Sequence, residues 1–183
     1  MGALRPRWAF HDRTPLPLEI HKLRLLQRGA DNDAADPEVV KFATELARPH
    51  KPDDYPAIAT EIHDFVRDGI RYQRDPGLRE EFETSGTVLR RGWDDCDGKS
   101  RLAVSLAKAL GLDAEIQPVW RDGYLTHVQW RVRWPGSQRF PGNRNGWVVG
   151  ELTIKGAELG QDPRTVAKNP DTGKFPLSGG QRW

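Results

Sequence analysis

Residues 92–100 read Gly-Trp-Asp-Asp-Cys-Asp-Gly-Lys-Ser and hold the one cysteine of the chain among three aspartates. Spacing separates the chemistries these residue types could perform. A phosphate loop requires G-x-x-x-x-G-K-[ST], whose backbone N–H groups cradle phosphate oxygens. Here five residues stand between Gly92 and Gly98, one too many, and no apolar strand precedes them. Three carboxylates would also face the phosphate charge. A calcium loop requires oxygen ligands at alternating positions. Asp95 and Asp97 fit that grid, but the next position on it is the cation Lys99. Neither nucleotide nor metal is indicated, and no cofactor is expected.

A nucleophilic thiol fits better. The first turn of a helix has unpaired N–H groups and a dipole that favour a thiolate. Cys96 opens an Ala/Leu-rich run, with Asp94 or Asp95 as the N-cap. The same aspartates disfavour the thiolate, so a separate cationic partner is required. His127 supplies one. In "HVQWRVRW", Val128, Trp130, Val132 and Trp134 form one face and His127, Gln129, Arg131 and Arg133 the other. The next strand-like run, "GWVVGELTI", carries Glu151. An antiparallel hairpin that sets His127 opposite Glu151 places its turn at residue 139, inside the Pro/Gly/Asn-rich "PGSQRFPGNRNG". Residues directly opposite share a face, so Glu151 could orient the imidazole. A Cys-His-Glu triad is therefore available. An inert buried cysteine, a surface histidine and a solvated glutamate are the competing readings of the same letters.

The elements that must position these groups are mostly legible. "LEIHKLRLLQRG" (residues 18–29) reads as a short helix stopped by Gly29, followed by a polar loop, "ADNDAAD". Asp36-Pro37-Glu38 is a strong helix start, with Val39, Phe42, Ala43 and Leu46 as the buried face. A second helix runs from Asp53-Asp54 to Gly69, with Ile58, Ile62, Phe65 and Val66 at helical spacing. "IRYQRDPG" is a short extended piece, and "LREEFETSGTVLRRG" fits either a short helix or an irregular connection. The Cys96 helix ends at Gly111. Three strand-like runs follow it, including "AEIQPVWR". Helices first and antiparallel strands afterwards indicate an α+β fold.

Composition sets outer limits. The 183 residues, 37% hydrophobic and 30% charged, fit one domain with length to spare for arms. Mean hydropathy is -0.71, and seven Trp and six Phe supply apolar area to a modest core. A net charge of +2 gives no reason to expect nucleic acid. No run is apolar enough for a signal peptide or a membrane span, and Pro6 stands where a myristoylation signal needs Ser or Thr. One cysteine forms no internal disulfide, so synthesis in a cytosol is the default expectation.

The segments "IHDFVRDGIRYQRDP", "TVLRRGWDDCDGKSRLAVSLAKALGLDAEIQPVW", "HVQWRV" and "GWVVGELT" together resemble the transglutaminase-like domain of the papain-like cysteine enzymes, in the versions found in bacteria and phages. The resemblance spans residues 36 to 160 and is most specific around Cys96. It implies a papain-like core, with the Cys helix packed on a small antiparallel sheet. It implies Cys96 as nucleophile, His127 as general base and acid, and Glu151 where the family usually has aspartate, four residues after Trp147. Asp94 replaces a glycine usual in the family and adds a charge near the thiol. Residues 1–35 would then be an arm with a short helix and 161–183 a loop-rich tail. The implied activity is a cysteine peptidase or amidase, or a transamidase, acting on a peptide or protein through a thioester. A second reading is a structural component of a phage particle, assembled with copies of itself or other subunits through its polar, proline-marked arms. That reading implies association with the virion.

Overall fold

Local start signals explain the helices. The protein is described by a computed structural model covering residues 16–74, 82–121 and 124–161. Asp36 accepts a hydrogen bond from the Glu38 N–H (2.8 Å) and Pro37 occupies the first turn. Helix α2 (Pro37–Ala47) follows, burying Val39 and Ala43. Asp54 caps helix α3 (Tyr55–Asp64) in the same way, accepting from the Ala57 N–H at 3.3 Å. Ile58, Ala59 and Ile62 form its core face, and its end widens into a π turn at Phe65–Gly69.

Helix α1 (Leu16–Asp33) does not stop at Gly29 as the sequence suggested. Gly29 lies inside the helix because Arg101 packs across it: a Cβ there would come within 2.6 Å of the guanidinium carbon. Arg101 reaches on to Asp33 through bonds of 2.8 and 3.0 Å, which makes "ADND" a helical turn rather than a loop. Leu26 and Ala30 of α1 are buried in the same core as the later helices. Residues 1–15 of the arm and 162–183 of the tail, on which the assembly reading rests, lie outside the described residues.

Strand β1 (Arg71–Tyr72) pairs in parallel with β2 (Trp93–Asp94), setting Tyr72 opposite Asp94. The ambiguous segment between them contains helix α4 (Ser85–Arg91), capped by Thr84 and closed by Gly92, whose φ of 70° is left-handed. Helix α5 (Cys96–Ala109) then runs through the centre and touches α1, α2, α3, α4 and the sheet. Leu102, Ala103, Val104, Leu106 and Ala107 on it are all inaccessible.

The sheet is antiparallel, in the order β3 (Asp113–Arg121), β4 (Tyr124–Arg133), β5 (Val148–Gly150). Val128, Trp130 and Val132 are buried, as the alternation predicted. Helix α1 guards β3, since Gln27 Oε1 accepts the Ile116 N–H (2.8 Å) that an edge strand would leave open. Strand β5 is shorter than "GWVVGELTI" suggested. A Cβ at Gly150 would meet Trp130 Nε1 at 2.1 Å, so the backbone closes onto Trp130 there and Glu151 leaves the ladder. The expected α+β class is observed, with the cysteine at a helix start and a small antiparallel sheet beside it. Among the described residues no helix is long and apolar enough to cross a membrane.

Candidate active site

Asp95 is the aspartate that caps α5, accepting from the Asp97 N–H (2.9 Å) and the Gly98 N–H (3.5 Å). Cys96 is thereby fixed as the first helical residue. Its Sγ donates to Asp97 Oδ1 (3.5 Å) and receives a hydrogen bond from the Val128 backbone. One turn later, Ser100 Oγ donates to the Val128 carbonyl (3.4 Å). Two side chains on one face of α5 thus grip the backbone of the residue that follows His127. Burial, then the charges of Asp97 and Asp95, push the thiol well above its usual range; the Val128 bond opposes them. The resting sulfur is a neutral thiol.

Asp94 behaves differently from its expectation. It is fully buried and paired with Arg91 (2.6 Å), and it accepts the Asp95 N–H (2.8 Å). Its carboxylate lies over Gly98, where a Cβ would come within 2.0 Å of it, so this glycine leaves room for the acid. The charges weighing most on the thiol are those of Asp97 and Asp95, not Asp94. Lys99 also points inward. Its Nζ donates to the carbonyls of Arg67 (3.0 Å) and Ile70 (2.5 Å), closing the π turn. Burial lowers its pKa to about 8 against the attraction of Asp68 and Glu151. Gly-Lys-Ser therefore builds the interior and offers no ammonium to a phosphate.

His127 Nε2 lies 2.8 Å from Glu151 Oε2, so these two predicted residues are in direct contact. Their register differs from the expected one. Trp130 pairs with Gly150, and continuing that ladder sets Gln129, not His127, opposite Glu151. The two-residue offset preserves the face because side chains alternate with period two. Glu151 accepts three further bonds: Gln129 Nε2 on Oε2 (2.8 Å), and the Thr153 N–H (2.8 Å) and Oγ1 (2.6 Å) on Oε1. Burial would raise its pKa, but the His127, Thr153 and Gln129 bonds and the His127 charge together lower it to about 2. An ionised carboxylate against Nε2 selects the tautomer protonated there, which makes Nδ1 the basic nitrogen.

Sequence reasoning placed Gln129 on the face of His127 but gave it no role, though it is only 7% exposed, and missed Thr153, two residues beyond Glu151. It also passed over Tyr72, whose phenol is shifted upward by burial first, with contributions from Cys96 and Asp95. His63 is fully buried but already committed. Trp130 Nε1 donates to its Nδ1 (3.3 Å) and its Nε2 meets the Ala157 carbonyl (2.8 Å), as a neutral ring does. The ligand-type atoms of Asp95, Cys96 and Asp97 lie within 4.8 Å of one another, but the two acids serve the helix cap and the thiol. A cleft of about 420 Å³ beside Tyr55, Asp113, Arg133 and Trp134 contains none of the three predicted site residues.

No family model matches the chain, and no curated protein matches its sequence. Similar solved structures include a "putative cysteine protease" from Cytophaga hutchinsonii, 13% identical with a TM-score of 0.48, over 66% of this chain and 40% of that one. A "putative protease" from Parabacteroides distasonis is 16% identical with a TM-score of 0.47, over 68% of this chain and 28% of that one. The chain thus spans less than half of either protein, and at that distance neither likeness transfers an activity.

Proposed function

We propose that this protein is a cysteine-dependent amide-bond enzyme of the transglutaminase-like, papain-like type, a peptidase or amidase acting on a peptide or protein. The observation that carries the reading is the buried His127–Glu151 hydrogen bond on the strand whose next residue, Val128, binds the thiol.

In the reaction, Sγ of Cys96 attacks the carbonyl carbon as the thiol proton passes to His127 Nδ1. The carbonyl π pair moves onto oxygen, forming a tetrahedral oxyanion. The Cys96 backbone N–H, at the helix start, is the donor assigned to it. Collapse expels the amine, which takes the proton from the imidazolium and leaves a thioester. Water, deprotonated by His127, then attacks the thioester carbonyl. Collapse breaks the C–S bond, frees the acid and expels the Cys96 thiolate, which takes the proton back from the imidazolium. An amine in place of water gives transamidation. Glu151 stays ionised and stabilises the imidazolium at each stage. General base catalysis of this kind contributes about 10²–10⁴ in rate. A neutral resting thiol makes that proton transfer part of the attack, rather than a step completed beforehand.

The test is acylation by p-nitrophenyl acetate. A rapid release of one nitrophenol per chain is expected, with the acetyl group mapped to Cys96 and the burst lost in Cys96→Ala. Acetyl groups on lysines alone, or a burst that survives in Cys96→Ala, would refute the nucleophile assignment.

A further inference from the structure

Glu151 reaches His127 from an unfavourable place. It lies beyond Gly150, the last paired residue of β5, and the ladder points it at Gln129 rather than at His127. Glutamate also has one more rotatable bond than the aspartate that usually serves here, so strand pairing alone leaves its carboxylate undirected. Two other residues direct it. Gln129 Nε2 holds Oε2 at 2.8 Å from one side, while the N–H and hydroxyl of Thr153 hold Oε1 at 2.8 and 2.6 Å. Glu151 is 3% exposed and Gln129 7%, so water does not compete for these positions.

We propose that Gln129 and Thr153 are positioning residues for the imidazole: their three donors occupy the Glu151 carboxylate so that its remaining acceptor direction is aimed at His127 Nε2. The assignment rests on the reading of His127 as the base. Other charges act here too. Lys99 on α5 and His63 on α3 interact electrostatically with Glu151, and Asp95, Asp97 and Tyr72 with the thiol.

The test uses the full chain with ¹⁵N-labelled histidine. In the wild type the His127 ring is expected as the Nε2–H tautomer, with a slowly exchanging proton. In Gln129→Met and Thr153→Val that proton exchanges faster and the tautomers mix. In the double variant, Cys96 alkylation by iodoacetamide at pH 7 falls about tenfold, as loss of bonds to a charged group predicts. Thr153→Ser, which keeps both donors, restores the wild-type spectrum. Circular dichroism separates these effects from unfolding, and either single variant suffices if the double does not fold. An unchanged His127 spectrum in folded Gln129→Met and Thr153→Val overturns the proposal. If the spectrum responds but alkylation ignores both these variants and His127→Ala, the positioning stands and the thiol–imidazole reading falls.

Discussion

Glu151→Leu is expected to lower the stability of the protein by roughly 3 kcal/mol at pH 7, and its melting temperature by about 10 °C. The carboxylate accepts four hydrogen bonds in a buried site, and leucine would leave the donors of His127, Gln129 and Thr153 without it. The pKa gives the same scale: a fall from 4.5 to about 2 corresponds to roughly 3 kcal/mol of linked stability. Because the folded-state pKa is depressed, that contribution is complete above pH 4.5 and disappears as the pH falls through about 2. Asp33 and Asp68 are also lowered: burial would raise both, but the bonds of Arg101 and Ser85 to Asp33 and of Arg67 to Asp68 outweigh it, so they add to the acid sensitivity. The decisive quantity is therefore the difference between wild type and Glu151→Gln in denaturant unfolding. That difference should shrink steadily from pH 5 to pH 2 as glutamate loses its charge. A difference independent of pH would mean that the carboxylate is not held ionised by its neighbours.

Asp97→Asn is expected to act in the opposite sense, raising the reactivity of Cys96. Burial is the largest cause of the raised thiol pKa, but the charge of Asp97 comes next, and its Oδ1 also accepts the thiol hydrogen bond. Asparagine removes the charge and keeps the shape. As the thiol pKa falls, the thiolate fraction at pH 7 rises tenfold per unit, while each thiolate becomes a weaker nucleophile. The net gain in alkylation rate is about three- to fourfold for each unit recovered. Asp95→Asn is a poorer probe, because Asp95 caps α5 as well. Alkylation that stays constant or slows in Asp97→Asn would show that Asp97 does not restrain the thiol proton.

The parts of this arrangement that were legible in the sequence are those set by neighbours in the chain. Asp36, Asp54 and Asp95 each cap a helix within three residues, and the alternation around Trp130 depends on no distant contact. The misread positions depend on partners far along the chain. Gly29 looks like a helix stop until Arg101, more than seventy residues away, is seen to lie across it. Asp94 looks like a charge on the thiol until its pairing with Arg91 and its seat over Gly98 are known. The His127–Glu151 pairing was placed on the correct face in the wrong register. Periodicity determines the face, but the packing of Trp130 on Gly150 determines where β5 ends. The same alternation puts Gln129 on the face of His127, but its bond to the Glu151 carboxylate depends on the local register.

The central claim is that the Cys96 proton goes to His127. Its most direct test is the rate of Cys96 alkylation by iodoacetamide from pH 5 to pH 10, in wild type and in His127→Ala. The wild type should show a limb near neutrality, in addition to the alkaline rise of a buried thiol. In His127→Ala that neutral limb should vanish, leaving the single alkaline rise imposed by burial, Asp97 and Asp95. Superimposable profiles for the two folded proteins would contradict the claim, because the imidazole would then play no part in activating the sulfur.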